Sequence, residues 1–402
     1  MSTTEKCTVL VIGGGPASSC SASVFARGRR HQKPSGCRGE PGMLRLLFHR
    51  YHIWESLLPS IHYYLELINL YDKFNSRGFI RKVTHSYFFQ AQLRKSGYTD
   101  FLAANGASHH SWNVVRSEAD DLIFKNAHES GIYFDSVNGR PVLPGTIRFE
   151  YLVGASGRAG VVSTKYLRNR VHNPRLLSIA IWGYWTGAKM YGPGGWAWYY
   201  PLKKACESTS TLDFYLNMLK ETPIIANLIR SGRLRSNMHL TMPNPGLRIA
   251  GDAGGFIDAL LSCGIHLALD GWISAALFIC ASLRGHGTEE AAIKWHIQRV
   301  TEGYTRFLMS VKSLLDQVHG RDEYILNYIE EPAGFNIACK YPKPTIQGTQ
   351  GGENNGDDIM LKVARLERVV SFSEAFPTDV IDGMAPKMRR GELGLIPVAV
   401  RT

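Results

Sequence analysis

The sequence predicts an α/β protein built on a Rossmann-like nucleotide-binding core. The first indication is an apolar run, Thr8 to Ile12, which ends in a glycine triplet at 13–15 and continues into small residues that suit a helix. Glycines at these positions let the backbone turn tightly and approach a pyrophosphate, whose charge then lies at the N-terminus of the next helix. The second indication is that a strand followed by a turn recurs at 149–157 and 247–255. One such turn alone would also fit an ordinary strand–turn–helix unit, so the prediction depends on their combination.

The N-terminal elements follow in chain order. Residues 7–12 predict a buried strand, and residues 16–27 predict the helix that this strand feeds. A second strand that ends in an acidic residue is expected about 20 residues after the glycine turn. Residues 28–42 are instead rich in turn-forming residues, and Glu40 is the only acid nearby. Residues 43–48 could form a short second strand.

The most apolar stretch of the chain is 256–283, and it predicts a buried helix. Asp258, His266 and Asp270 interrupt it, and its longest uncharged part is too short to span a bilayer. No charged segment followed by an apolar one opens the chain, so no signal peptide is expected. We therefore expect a cytoplasmic protein with no membrane segment.

Composition and charge limit the possible classes of function. The chain has 402 residues, 44% of them hydrophobic, and a formal net charge of +12. These values fit a globular enzyme, and the basic residues are scattered without a recognisable nucleic-acid-binding motif, so no nucleic-acid partner is expected. The seven cysteines are widely spread and include no C-x-x-C pair. A disulfide framework or a zinc site is therefore not predicted.

A tryptophan doublet distinguishes this chain from other nucleotide-binding proteins. Trp196 and Trp198 lie in the segment 195–201, which begins with glycine and ends with Pro201. Taken alone, the doublet indicates either core packing or the rim of an apolar pocket. The doublet and the N-terminal glycine turn together limit the possible protein families far more than either motif does alone.

Several segments together resemble the flavin-dependent halogenases, and most closely the fungal ones that chlorinate phenolic, polyketide-like substrates. The tryptophan signature is specific to that family, whereas the flavin-binding motifs are shared with aromatic hydroxylases. The resemblance covers most of the chain in order. The segments that carry it are 13–17, 50–53, 55–59, 112–120, 151–160, 195–201 and 251–264.

The resemblance implies a particular chemistry. Reduced FAD and O2 would form a flavin hydroperoxide, chloride would convert it to hypochlorous acid, and a lysine would orient this oxidant or carry it as a chloramine to a phenolic small molecule. Trp196, Trp198 and Pro201 would lie along the tunnel between the two sites. A separate flavin reductase would supply the reduced FAD, because no second nicotinamide-binding fold is evident.

The resemblance also implies the site residues. Lys82 stands where the family places its reactive lysine; the alternative is a solvated surface lysine. Chloride and the flavin ring would be held through backbone amides at Ser262, Cys263 and Gly264. The residues implied at FAD are Gly13, Gly15, Pro16, Ala17, Ser56, Arg116, Asp252, Gly264 and Ile265.

Residues 1–285 are expected to form a discontinuous FAD-binding halogenase core, with β-rich substrate-cap elements around 60–110 and 185–245. Residues 286–402 should form a mostly helical C-terminal region with a loop at 340–358. An amphipathic pattern that starts at Glu289 predicts the first helix of that region.

The chain departs from the family at several places, one of which is Cys263 in place of the usual serine. The second strand is replaced by turn-forming residues, Trp54 replaces a glycine, and Gly154 replaces an aspartate. An FAD-dependent aromatic hydroxylase and a degenerate, inactive flavoprotein-like chain are therefore the alternatives. A tighter FAD complex after replacing Trp54 with glycine is expected if that side chain crowds the cofactor.

Overall fold

The computed structural model describes residues 4–28, 42–44, 55–82, 84–87, 97–100, 110–130, 133–134, 146–182, 230–238, 244–318, 383–389 and 392–398. The strands are β1 (Thr4–Ile12), β2 (Gly42–Leu44), β3 (Ile80–Lys82), β4 (Thr84–Tyr87), β5 (Gly97–Asp100), β6 (Ser111–Asn113), β7 (Tyr133–Phe134), β8 (Thr146–Gly154), β9 (Val171–Trp182), β10 (Arg230–Met238), β11 (Leu247–Ile249), β12 (Gly255–Phe256), β13 (Met384–Lys387) and β14 (Gly394–Pro397). The helices are α1 (Pro16–Gly28), α2 (Ile61–Leu67), α3 (Tyr71–Asn75), α4 (Arg116–Glu129), α5 (Gly264–Leu283) and α6 (Glu289–Val318).

A parallel sheet with the strand order β11-β8-β1-β2-β7 lies at the centre of the fold. Ile12 at the end of β1 pairs with Leu44 and Gly154, and Ile249 at the end of β11 also pairs with Gly154. The carboxyl ends of four strands therefore meet at one edge of the sheet. In such sheets ligands bind outside this edge. The predicted α/β class is confirmed, and the short second strand forms as β2.

Helix α5 is the central helix of the core, but it covers only 264–283 of the apolar stretch 256–283, because Phe256 ends β12 and residues 259–261 form a short 3-10 turn. Among the described residues it alone is long and apolar enough to cross a membrane by length and composition, but 78% of its most apolar window is buried inside the structure. Its one buried acid, Asp270, accepts hydrogen bonds from Arg299 Nε and Nη2 of α6 at 3.3 and 3.2 Å. The charge within α5 is thus compensated by an ion pair with α6, which is typical of a helix inside a globular protein.

The amphipathic helix predicted from Glu289 is α6. Trp295, Tyr304 and Val311, at helical spacing, are all buried. His296 lies beside them and connects three elements, because its ring nitrogens hydrogen-bond to Ser274 of α5 at 2.8 Å and to the carbonyl of Ile249 of β11 at 3.1 Å. Burial, together with nearby Arg248, lowers the pKa of His296 to about 3. This histidine is therefore a neutral structural group.

Smaller sheets surround the core. Strands β9, β10 and β12 form an antiparallel sheet, and β3 pairs with β6 and β4 with β5. The hairpin of β13 and β14 supplies Leu393 and Leu395 to the same apolar cluster as α5. The division of the chain at residue 285 stays a prediction, and the loop expected at 340–358 lies outside the described residues.

Candidate active site

Three turns meet at the carboxyl edge of the sheet. Gly13 follows β1 with a φ of +144°, and a Cβ added there would lie 2.2 Å from the carbonyl oxygen of Ala155, in the turn after β8. Gly251 follows β11 with a φ of +64°, and a Cβ there would lie 3.2 Å from Cβ of Ala17. Both positions favour glycine because the backbone conformation is left-handed and another part of the chain lies close to each of them. The predicted residues Gly13, Ala17 and Asp252 are thereby brought into one place.

Gly15 has the opposite surroundings. A Cβ added at Gly15 would have no atom within 4 Å, so the backbone here borders open space. Helix α1 begins at the next residue, Pro16, and its first-turn N–H groups have no partner within the helix. Open space at a helix N-terminus is the arrangement that receives a phosphate group.

Ser18 occupies the position where the fingerprint has its third glycine. Its hydroxyl turns back and donates to the carbonyl oxygen of Gly15 at 2.9 Å, and its side chain is buried. The serine is therefore accommodated within the first turn of α1, and it does not block the glycine turn.

Three arginines act electrostatically on Asp252. Burial raises the pKa of this carboxyl to about 6, and Arg158, Arg116 and Arg170 act in the opposite direction. Arg158 and Arg170 come from the segment that follows β8, and Arg116 comes from α4. An acid that can accept hydrogen bonds from sugar hydroxyls is thus set among cations that suit a phosphate.

Arg116 forms hydrogen bonds with two acidic residues, Asp120 and Glu55. Its Nε and Nη2 atoms donate to the two carboxylate oxygens of Asp120 at 3.1 Å each, and both side chains are almost fully buried. Its backbone N–H, at the start of α4, donates to Oε1 of Glu55 at 3.2 Å. A carboxylate at a helix N-terminus is favourable because of the helix dipole.

The predicted halide turn lies at the start of α5. Ser262 has a φ of +54° and is buried, Cys263 precedes the first helical residue Gly264, and Ile265 is buried in the core. Burial raises the pKa of the Cys263 thiol well above its usual range. This cysteine is thus a protonated, poorly nucleophilic group.

Lys82, at the end of β3, is buried, with 9% of its surface exposed. It is therefore not the solvated surface lysine of the alternative interpretation. Its Nζ donates to Oγ of Ser56 at 2.7 Å and to the carbonyl oxygen of Leu57 at 3.4 Å. Burial lowers the pKa of Lys82 to about 7, so a large fraction of the amine is neutral near neutral pH.

The segment 55–60 forms contacts with Arg116, with Lys82 and with the first turn of α5. Glu55 contacts the backbone of Arg116, and Ser56 contacts Lys82. Ser60 Oγ lies 2.7 Å from Nδ1 of His266, in the first turn of α5. The lysine and the halide turn are therefore connected through one short segment of chain.

The predicted tunnel residues Trp196, Trp198 and Pro201, and also Trp54, lie outside the described residues. The structure adds Glu55, Arg158 and Arg170, which were not predicted. Arg158 could have been found, because it continues the Ala155–Gly157 turn. Arg170 lies in a stretch without a recognisable motif. Its electrostatic effect on Asp252 follows only from the fold.

Comparison with known proteins decides the family. Sulochrin halogenase gedL of Aspergillus terreus is 34% identical to this chain, over 98% of the chain and 94% of that protein. The flavin-dependent halogenases otaD of Aspergillus carbonarius and ascD of Acremonium egyptiacum are 39% and 37% identical, each over 87% of the chain and over 82% and 75% of their own lengths. This chain belongs to the flavin-dependent halogenases. No family model matches it.

Solved structures agree on the fold of this halogenase. The flavin-dependent halogenase CmlS superposes with a TM-score of 0.65 at 18% identity, over 98% of this chain and 84% of CmlS. The myxobacterial chondrochloren halogenase CndH gives 0.66 at 20% identity, over 98% of this chain and 100% of CndH. The halogenase is an oxidoreductase that uses a flavin and acts on a small molecule, and the three relatives of 34–39% identity named above are halogenases.

Proposed function

We propose that this halogenase chlorinates an electron-rich phenolic small molecule, with FAD and chloride as its cofactors and Lys82 as its reactive amine. The observation that carries the proposal is the buried amine of Lys82, whose pKa is lowered to about 7 by burial. A neutral amine is a nucleophile, whereas an exposed lysine would be almost fully protonated at the same pH. Sulochrin halogenase, by its name, acts on sulochrin, which supports a small-molecule substrate of the polyketide type.

The residues at the sheet edge fit FAD. Open space at Gly15 beside the N-terminus of α1 suits the pyrophosphate, and Arg116 and Arg158 supply positive charge nearby. Asp252 suits a sugar or ribityl hydroxyl, and Ser262, Cys263, Gly264 and Ile265 suit the flavin ring and chloride. When bound and reduced, by a separate flavin reductase in this proposal, FAD would supply hypochlorous acid from O2 and chloride.

Lys82 would then act in two steps. Its neutral amine attacks the chlorine of hypochlorous acid, and the departing hydroxide takes an amine proton, so that a chloramine and water form. The substrate ring attacks the chloramine chlorine, and the ring proton returns to the nitrogen to regenerate the amine. If Lys82 instead only orients hypochlorous acid, the ring attacks the oxidant directly and water leaves. In either case Trp196, Trp198 and Pro201 would keep the substrate away from the flavin.

The proposed function also implies a division of the chain into two regions. We propose that residues 1–285 form the FAD-binding core and its substrate cap, and that residues 286–402 form a mostly helical C-terminal region that packs against this core. We expect neither nucleic acid nor a membrane among the partners of this halogenase.

The deciding experiment is mass spectrometry of phenolic substrates incubated with the protein, FAD, a reductase and chloride. A gain of chlorine is expected in the parent, and a gain of oxygen would indicate hydroxylation. Lys82→Ala should reduce chlorinated product on the order of a hundredfold while hypochlorous acid is still released. Lys82→Arg should fail equally, because a guanidinium stays protonated.

The matched control is Lys294→Ala, which removes an exposed lysine of α6 and should leave the chlorination rate unchanged. Chlorination by Lys82→Ala at the parent rate would refute the role of Lys82. A protein that binds FAD in a spectroscopic titration but releases no oxidant would support the inactive alternative.

A further inference from the structure

The hydroxyl group of Ser56 lies next to the amine of the buried lysine. The distance between Lys82 Nζ and Ser56 Oγ is 2.7 Å, and the serine side chain has no exposed surface. The carbonyl oxygen of Leu57, the next residue, accepts from the same amine at 3.4 Å. Two acceptors from adjacent residues thus face one buried amine.

The serine and the lysine are held by the same strand. On one side of β6, Lys82 pairs with Ser111 in antiparallel register. On the other side, Leu57 N–H donates to Trp112 O at 2.9 Å, and Ser56 forms an antiparallel bridge with Asn113. Because both residues pair with β6, the backbone positions from which the amine and the hydroxyl extend are held relative to each other.

We propose that Ser56 is a positioning residue that holds the Lys82 amine and sets its protonation, an inference that rests on the proposed function of Lys82. A neutral amine has two N–H bonds and one lone pair. When its N–H bonds point at Ser56 Oγ and Leu57 O, the lone pair necessarily points away from this segment. The lone pair is the part of the amine that reacts, so Ser56 fixes its direction.

The hydrogen bond from Lys82 to Ser56 should also oppose the lowering of the Lys82 pKa by burial. A hydroxyl oxygen binds an ammonium more strongly than a neutral amine, so it favours the protonated form of Lys82. Without it, the amine would release its proton at a still lower pH. Ser56 therefore keeps the amine able to take up and release a proton within the neutral range.

The test begins with the titration of Lys82 by NMR of protein labelled at lysine ε-carbons, with the resonance assigned by its loss in Lys82→Met. This measurement needs neither flavin nor turnover. In Ser56→Ala the titration midpoint of Lys82 should fall by about one pH unit, because the acceptor for the charged form is lost. Ser56→Thr, which keeps the hydroxyl, should restore it.

Ser111→Ala is the matched control. Ser111 is a fully buried serine directly opposite Lys82, and its Oγ has no hydrogen-bond partner. Its replacement removes the same atom from the same neighbourhood without removing an acceptor from the amine. The titration of Lys82 should therefore not move in this variant.

The second readout is the ratio of chlorinated product to hypochlorous acid released. This ratio should fall about tenfold in Ser56→Ala and should recover in Ser56→Thr; because product is divided by oxidant, a change in oxidant release itself does not alter the conclusion. If Ser56→Ala does not fold, Ser56→Cys keeps the volume and replaces the oxygen by a weak acceptor. An unchanged Lys82 titration in the Ala or Cys variant overturns the inference. If the parent releases no oxidant, the proposed function fails, but the titration still decides the relation of Ser56 to Lys82.

Discussion

Gly13 and Gly15, two residues apart in one turn, have opposite surroundings. A Cβ at Gly13 would lie 2.2 Å from a backbone oxygen of Ala155, whereas a Cβ at Gly15 would meet nothing within 4 Å. One glycine is required by the packing of the protein itself. The other borders the space that we assign to the pyrophosphate of FAD.

This difference separates folding from cofactor binding. Gly13→Ala should lower the free energy of unfolding by about 2 kcal/mol or more, because both the left-handed backbone and the contact with Ala155 oppose a side chain. Gly15→Ala should change it by less than about 0.5 kcal/mol but weaken FAD binding about tenfold. Urea unfolding of the apoprotein and flavin fluorescence titration measure the two quantities. Equal effects of both variants on unfolding would contradict the assignment.

Lys82 makes the stability of the protein depend on pH. Its pKa is lowered from 10.5 to about 7 in the folded protein. Between these values the unfolded chain binds a proton that the folded chain does not, so the free energy of unfolding should rise with pH in this window. Below about pH 7 both states are protonated, and the cost of burying the charge is fully present.

Lys82→Met removes this dependence. The variant should be more stable than the parent at pH 6, and its advantage should shrink as the pH rises to 9. Lys294→Met, at an exposed position of α6, is the control and should follow the parent at every pH. Parallel curves for the parent and Lys82→Met would show that Lys82 is solvated in solution.

The buried ion pair of Asp270 and Arg299 should show a large coupling energy in a double-mutant cycle of unfolding. Their charged groups are 3.2 Å apart, and the two side chains are only 5% and 6% exposed. Asp270→Ala should cost about 3–5 kcal/mol of unfolding free energy, because it leaves a buried guanidinium without its carboxylate. Adding Arg299→Met should recover part of this loss. The exposed pair of Lys73 and Glu129 is the control and should show a coupling below about 1 kcal/mol.

Gly154 offers a test of how the chain has accommodated a departure from its family. A Cβ at this position would lie 3.0 Å from Cγ2 of Val162. Gly154→Asp should therefore destabilise the protein by about 1–3 kcal/mol, because the side chain has no room. Gly154→Asp combined with Val162→Ala should be more stable than Gly154→Asp alone in thermal unfolding. An Asp variant as stable as the parent would show that Val162 does not fill this space.

The sequence was sufficient to predict the elements whose pattern is local. The strand before Gly13, the buried α5 and the amphipathic α6 were all predicted, because their apolar residues follow a strand or helix period. The interruption of α5 by Asp270 was correctly taken as compatible with a buried helix. Its partner Arg299 was not predicted, since 29 residues separate the two and nothing in the sequence pairs them.

Only the site residues that lie in local sequence motifs could be predicted. The glycine turns and Lys82 lie in recognisable segments, so their positions could be assigned from the resemblance. The contacts of Glu55 with Arg116 and of Ser56 with Lys82 join residues 61 and 26 positions apart. Such pairs depend on how β3, β6 and the segment 55–60 lie together, which only the fold specifies.

The hairpin of β13 and β14 has a consequence for how the chain is made. Leu393 and Leu395 belong to the same apolar cluster as α5, and the backbone N–H of Leu395 donates to Nδ1 of His286 at 3.1 Å. The cluster around α5 is therefore complete only after residue 395 has left the ribosome, although Val9 and Val11 of β1, which belong to the same cluster, are synthesised long before. Ribosome-bound nascent chains that stop before residue 393 should be more sensitive to protease than longer ones, and they should bind chaperones that shield α5 until residues 393–395 have been added.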